Sequence, residues 1–220
     1  MENTTERPSR SLLIGAALTI ALLACVVLVL TASSKTKSGP ARTLPIIGQV
    51  PDFALTNQDG QAVSLADLRG HVWVADIIFT RCAGPCPIMT RQMKSLQDAL
   101  PATSQAKLVT LTTDPDFDTP PILTRYGKRF DADFNRWMFL TGTKAQIGKL
   151  ATGGLKLSAV PVSAEQQNNP ADLFVHSTIF VVVDKQARLR SVFETTGPGV
   201  EWANVQPKIE AAVRQLESEE

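Results

Sequence analysis

Apolar and polar positions divide the chain into unequal parts. Leu12 to Leu30 is an unbroken, uncharged run of 19 residues. As a helix it would span roughly 28 Å, close to the apolar core of a bilayer. Thr31 to Arg42 is small, polar and basic with Gly39-Pro40 inside it, the composition of a flexible tether. From Leu44 onward, short apolar blocks alternate with helically spaced ones. The pattern predicts a short tail over 1–11, a transmembrane anchor over 12–30, a linker over 31–43 and one domain over 44–220.

Within the domain the periods can be read element by element. Phe53 to Thr56 and Gln61 to Ser64 flank Asn57-Gln-Asp-Gly60, which predicts a hairpin. Val72 to Phe79 is short and nearly all apolar, as in a strand buried on both faces. Ile88, Met89, Met93, Leu96 and Leu100 recur at helical spacing behind Pro87. A strand over Lys107–Thr112 and a helix over Thr119–Phe130 follow, with Asp118 or Thr119 as the expected cap. Next come a short strand over Trp137–Leu140 and a helix over Lys144–Leu150 ended by Gly153-Gly154. Ser158 to Asp172 is a polar insertion without a period. Ser177–Val183 and Leu189–Phe193 predict a hairpin. Val200–Leu216 predicts a closing helix in which Pro207 marks a kink or the true start. Strands alternating with helices, then a hairpin and a helix, describe a layered α/β domain.

The apolar run continues through Val26-Val27-Leu28-Val29-Leu30, longer than a signal-peptide core, and reads as an uncleaved anchor. Leu22-Leu23-Ala24-Cys25 also has the form of a bacterial lipobox, which would make Cys25 a lipidated terminus. The apolar residues after Cys25 count against that. Basic residues flank both ends of the run, so the positive-inside rule leaves orientation open. The short N-terminus suits a signal-anchor with the domain outside. Glu2 and Glu6 argue against a mitochondrial presequence.

Charge narrows the function classes. The chain carries 22 Lys+Arg against 21 Asp+Glu, a formal charge of +1. That balance argues against a nucleic-acid partner. With two His and three Cys in 220 residues, any metal or redox chemistry must use almost all of them.

Cys82-Ala-Gly-Pro-Cys86-Pro87 follows the apolar strand and opens a helix. A helix N-terminus stabilises an anion, here a thiolate, and Arg81 adds positive charge beside it. Both effects are expected to lower a cysteine pKa. Two thiolates are soft ligands for Cu(I) or Zn. A structural disulfide is the alternative, although so short a loop gains little from closure. CxxC at such a turn is the thioredoxin arrangement; the three intervening residues here allow a disulfide or a shared ion. Asp76 lies inside the apolar strand, where a carboxylate is costly unless paired or protonated. Thioredoxins carry a buried acid at the same offset from the first cysteine, although an acid bonded to its neighbours is an equal reading.

His176 precedes a predicted strand. In a thioredoxin-like topology the loop before that strand faces the cysteines, and thioredoxins place a cis-proline there. No Pro lies between Asp172 and Val183, so His176 or a neighbour takes that place. An imidazole and two thiolates make a three-coordinate site. His71, after Gly70 at a strand start, reads as surface or structural. Asp114-Pro-Asp-Phe-Asp118 begins like a calcium loop, but Thr119 and Arg125 stand where glycine and glutamate are needed.

Taken together these residues resemble the Sco/SenC family, membrane-anchored copper-binding proteins with a thioredoxin-like fold. The resemblance rests on Trp73-Val-Ala-Asp-Ile-Ile-Phe-Thr80, Cys82-x3-Cys86-Pro87, Thr113-Asp-Pro-Asp-Phe-Asp-Thr-Pro120, Arg125-Tyr-Gly-Lys-Arg-Phe130 and His176-Ser177. It covers about Pro51 to the C-terminus. It implies a central mixed sheet flanked by helices, with an N-terminal hairpin, and copper on Cys82, Cys86 and His176, with Cu(I) favoured over Cu(II). It also implies a metallochaperone on the periplasmic side of a bacterial inner membrane. Its partner would be cytochrome c oxidase subunit II, whose binuclear copper centre it would fill, or whose cysteines it would reduce. Another copper chaperone or a thiol reductant would be a further partner. Val175 stands where many members have Asp, and Ala83-Gly84-Pro85 where Pro-Asp is common.

Other readings remain beside it. A membrane-tethered thiol-disulfide oxidoreductase would use Cys82 and Cys86 as a catalytic pair, with little need of His176. A peroxidase of the peroxiredoxin type needs Thr or Ser three residues before its cysteine, where Phe79 and Ala83 stand. A copper or redox sensor could use the same residues.

Overall fold

The centre of the sheet follows from two strands with no polar face to spare. A computed structural model describes residues 43–157, 160–161, 174–175 and 178–219. In it β4 (Trp73–Ile78) is buried at every position, and β5 (Lys107–Thr112) lies parallel to it with Asp76 in register with Thr110. β6 (Trp137–Thr141) extends the parallel set beyond β5. Helices α1 (Cys86–Ala99) and α2 (Pro120–Arg129) carry the two crossovers, as parallel pairing demands.

Antiparallel strands complete the two sides. The predicted hairpin forms as β2 (Ala54–Asn57) and β3 (Ala62–Ser64), with β2 joined to β6. On the other side β9 (Ile179–Val183) pairs with β4, β10 (Arg188–Glu194) with β9, and β1 (Gly48–Gln49) with β10. The order is β1-β10-β9-β4-β5-β6-β2-β3. This is a mixed α/β domain with a central sheet, of the thioredoxin-like kind. The insertion is closed at its ends by β7 (Val160–Pro161) pairing with β8 (Phe174–Val175); the rest of it lies outside the described residues.

The alternation of β4 sorts its side chains between two cores. Val74 and Ile78 pack with Met89, Met93 and Leu96 of α1, and with Ile209 and Val213 of α4 (Trp202–Ser218). Trp73, Ala75 and Ile77 pack on the opposite face with Leu150, Ala151 and Leu155. By this alternation Asp76 projects to the α1 side.

Three details differ from the sequence expectation. Thr119 stands at the N-cap of α2 with no side-chain bond, and Asp118 does not cap at all. Its carboxylate accepts from the Thr80 amide at 3.1 Å, from the Thr112 hydroxyl at 2.5 Å and from the Thr80 hydroxyl. Pro207 lies inside α4, which begins at Trp202, so it is not the start of the helix. Helix α3 (Lys144–Gly148) opens with a capping box from Thr143 and Gln146, then widens into a π-helical turn over Lys149–Gly154. Gly153-Gly154 therefore lie within the helical path. A Cβ on Gly154 would come within 2.6 Å of Pro51, which accounts for glycine there. Among the described residues no helix is long and apolar enough to cross a membrane, and both the run 12–30 and Cys25 lie outside them.

Candidate metal centre

The cysteine turn sits where β4 ends and α1 begins. The Cys82 amide closes the turn on the Phe79 carbonyl at 3.2 Å, and the Pro85 carbonyl accepts from Ile88 and Met89 at 2.9 Å. Cys86 is the first residue of α1, with Pro87 after it, where a missing N–H costs nothing. Both cysteines are reduced and buried, at 7% and 2% exposure. A Cβ on Gly84 would stand 3.9 Å from the Cys82 sulfur, an ordinary contact.

The electrostatics of Cys86 depart from the expectation of a lowered cysteine pKa. The Cys86 thiol is pushed well above its ordinary value, first by its hydrogen bond to Cys82 and then by burial. A backbone hydrogen bond from Phe79 opposes this without cancelling it. The helix N-terminus is outweighed by the bond to Cys82 and by burial together. Arg81 is engaged elsewhere: its guanidinium meets Asp114 at 2.5 Å and lies 4.0 Å over the Phe117 ring.

Beneath the turn is a buried polar set. The Thr90 hydroxyl donates to the Cys86 carbonyl at 2.9 Å, so the Tyr126 hydroxyl, 2.8 Å away, donates to Thr90. Asp76 is fully buried, and neither of its oxygens has a hydrogen bond of ordinary geometry. Burial raises its pKa to about 7, offset only in part by the Thr110 hydroxyl. The charge on Asp76 would act on both Cys86 and Tyr126, raising the pKa of each. Asp76 is thus a buried acid held near neutrality, not one paired within the strand.

His176 lies outside the described residues. The strand it precedes, β9, begins at the sheet end where β4 leaves for Cys82, because β9 and β4 are antiparallel. The three acids of the 114–118 loop do not converge. Asp114 holds Arg81, Asp116 holds Lys144 at 2.5 Å, and Asp118 holds Thr80 and Thr112. Among the described residues no cluster of three metal-ligating side chains occurs. Two neighbouring sulfurs are soft donors, suited to Cu(I) or Zn, and leave room for further donors.

A SCO1/SenC family model matches residues 47–211. The chain belongs to the SCO1/SenC family. A SCO1 protein homolog from Bacillus subtilis is 33% identical over 147 residues, covering 66% of this chain and 73% of that one. The solved structure of BsSco, a Sco-family cytochrome c oxidase assembly protein with a disulfide switch, is 30% identical with a TM-score of 0.66. It covers 81% of this chain and 98% of BsSco. Bradyrhizobium japonicum ScoI with copper bound is 22% identical with a TM-score of 0.61, covering 77% and 99%, a likeness of fold. Sco proteins are cytochrome c oxidase assembly proteins, and copper-bound members are known.

The sequence missed two parts of this site. Asp118 was invisible as a tie because nothing in a chain shows that it folds back onto Thr80. The Thr90–Tyr126 bond was hidden because both residues occupy core positions of separate helices.

Proposed function

We propose that this Sco protein is a copper-binding assembly factor for cytochrome c oxidase subunit II. It would deliver copper to the binuclear centre of that subunit, reduce the cysteines there, or do both. Copper is cargo in this reading. Cys82, Cys86 and His176 are its proposed ligands, with Cu(I) favoured over Cu(II) because thiolates are soft donors. The supporting observation is the pair of reduced, buried sulfurs in mutual contact at the head of α1, in a chain of this family. Burial keeps water and stray oxidants from the pair, and the site needs only a third donor to hold Cu(I). Residues 12–30 would anchor the domain 44–220 on the periplasmic face of a bacterial inner membrane through the linker 31–43. A second copper chaperone or a thiol reductant would load or reset the site.

The test is Cu(I) affinity of the reduced chain by chelator competition, beside Cys82→Ser, Cys86→Ser and His176→Ala. One-to-one binding that collapses in both cysteine variants and weakens in the histidine variant is expected. Binding indifferent to His176, or absent in the parent chain, would overturn the copper site.

A thiol-disulfide oxidoreductase is the second reading, favoured by Asp76 buried without a donor beneath the cysteine turn. An acid so placed can exchange a proton with a departing thiolate. Turnover of a disulfide substrate that survives His176→Ala and falls in Asp76→Asn would select this reading.

A further inference from the structure

The domain over 44–220 carries 17 basic against 19 acidic side chains, a net of −2. Yet the surface beside the cysteine turn is basic. A cleft of ≈ 240 Å³ begins at Thr80 and Arg81, directly before Cys82, and is lined by Arg125 and Arg129 with no acid among its walls. A second hollow of ≈ 500 Å³ begins at Pro87, directly after Cys86, shares Arg129 and adds Arg91 and Lys94. Its single acid is Asp131. The two hollows make a basic band around both sides of the turn.

Three cations of the band are held by neighbours. Arg81 is fixed between Asp114 and the Phe117 ring. Arg129 lies 5.3 Å over both the Tyr126 and Phe130 rings. Lys94 is taken by Asp98 at 2.6 Å. Among the described residues, Arg91, Arg125 and Arg129 have no carboxylate at ion-pair distance. Apolar surface accompanies the charge, since Ile88 is 46% and Phe117 39% exposed. Tyr126 forms the base of the first cleft and is tied through Thr90 to the Cys86 backbone.

We propose that this band docks an acidic, partly apolar segment of the protein partner whose cysteines meet Cys82 and Cys86. The proposal rests on the thiol and copper reading for the location of the partner's cysteines, but not for the docking itself. Free guanidiniums in a concave wall fit carboxylates by charge and by their paired N–H geometry. Exposed Ile88 and Phe117 favour a peptide segment over a small free anion. A lipid surface is disfavoured because headgroups lie in a plane, whereas Arg125 and Arg129 line a hollow. Complementary charge of this kind sets orientation and encounter rate more than final affinity.

The test uses the full chain in neutral detergent, copper-free, with fluorescent nine-residue peptides built around one Phe and flanked by Glu, Gln or Lys. The Glu peptide is expected to bind at least about 10-fold more tightly than the Gln peptide, and to lose most of that margin in high salt. Arg125→Glu/Arg129→Glu should erase the preference, Arg125→Gln/Arg129→Gln should reduce it, and Lys208→Glu/Arg214→Glu on α4 should leave it intact. Cys82→Ser/Cys86→Ser should also leave it intact while abolishing Cu(I) binding, which separates docking from the copper site. Equal binding of the Glu and Gln peptides would overturn the proposal. So would a preference that survives Arg125→Glu/Arg129→Glu, or arginine-dependent binding to anionic vesicles without any to the Glu peptide.

Discussion

Asp76 faces Thr110 across the β4–β5 register, and the Thr110 hydroxyl already accepts the Trp137 indole N–H at 2.9 Å. The carboxyl therefore sits against a hydroxyl that has one partner and beneath a cysteine turn that offers it no donor. The cost of charging it is what lifts its pKa to about 7.

The folded protein holds a proton on Asp76 that the unfolded chain releases at its ordinary value of 3.8. The resulting stability is fully present below the unfolded value and is lost as pH rises through about 7. The loss is on the order of 4 kcal/mol at most. Asp76→Asn, which cannot ionise, should show a flatter curve over this window in denaturant unfolding of the reduced, copper-free chain. Parallel curves for the two proteins would show that Asp76 is not the titrating group.

Asp184 titrates in the opposite sense. Burial would raise its pKa, but hydrogen bonds from Arg190 and Arg188 outweigh that and hold it below the ordinary carboxylate range. Its stabilisation is present above the ordinary value and is lost as pH falls through the lowered one. Arg190 is 4% exposed and also meets Glu219 at 2.9 Å, which fastens the end of α4 to β10. Arg190→Met should cost about 3 kcal/mol at neutral pH, because a buried carboxylate loses a partner. The difference should shrink in acid, as read by unfolding at pH 3 and pH 7.

Asp118 ties the segment that leads into the cysteine turn to the end of β5. It is wholly buried and accepts from Thr80, two residues before Cys82, and from Thr112 at the end of β5. Asp118→Ala leaves those donors unpaired and should cost about 2–4 kcal/mol. It should also speed alkylation of the cysteines in the native state, since their turn loses its tie to β5. Unchanged alkylation with lowered stability would make Asp118 a general core tie only.

The elements that were legible in sequence share one property: each carries its own period. β4 is apolar at every position but Asp76, β5 carries Leu108, Val109 and Leu111, α1 shows Met89-Met93-Leu96-Leu100 spacing, and the β2–β3 hairpin is announced by Asn57–Gly60. β1 is two residues long and exists only because β10 offers an edge, so no local pattern could announce it. The cysteine turn was legible as a motif, but the raised Cys86 pKa depends on enclosure and on Cys82, which spacing does not encode. The basic band joins Arg81 and Arg125, which only the β4–β5–α2 path brings to one hollow.

Gly127 is a point of close packing between α2 and the rings of Phe134 and Phe139. It lies in the helix interior, where alanine would ordinarily gain up to about 1 kcal/mol. A Cβ there would instead come within 2.6 Å of the Phe134 ring and 2.9 Å of the Phe139 ring. Those rings meet edge to face at 6.2 Å, and Phe139 also stacks on Trp137 at 4.8 Å, so Phe139 has nowhere to retreat. Overpacking of this kind costs about 1–3 kcal/mol and outweighs the helical gain. Gly127→Ala should therefore lower the denaturation midpoint. Phe134→Leu in the same chain should recover part of the loss, because Phe134 is only partly buried and can be trimmed. A Gly127→Ala variant as stable as the parent would mean that α2 shifts freely. Tyr126, its neighbour in that helix, would then be a poor anchor for the Thr90 bond beneath Cys86.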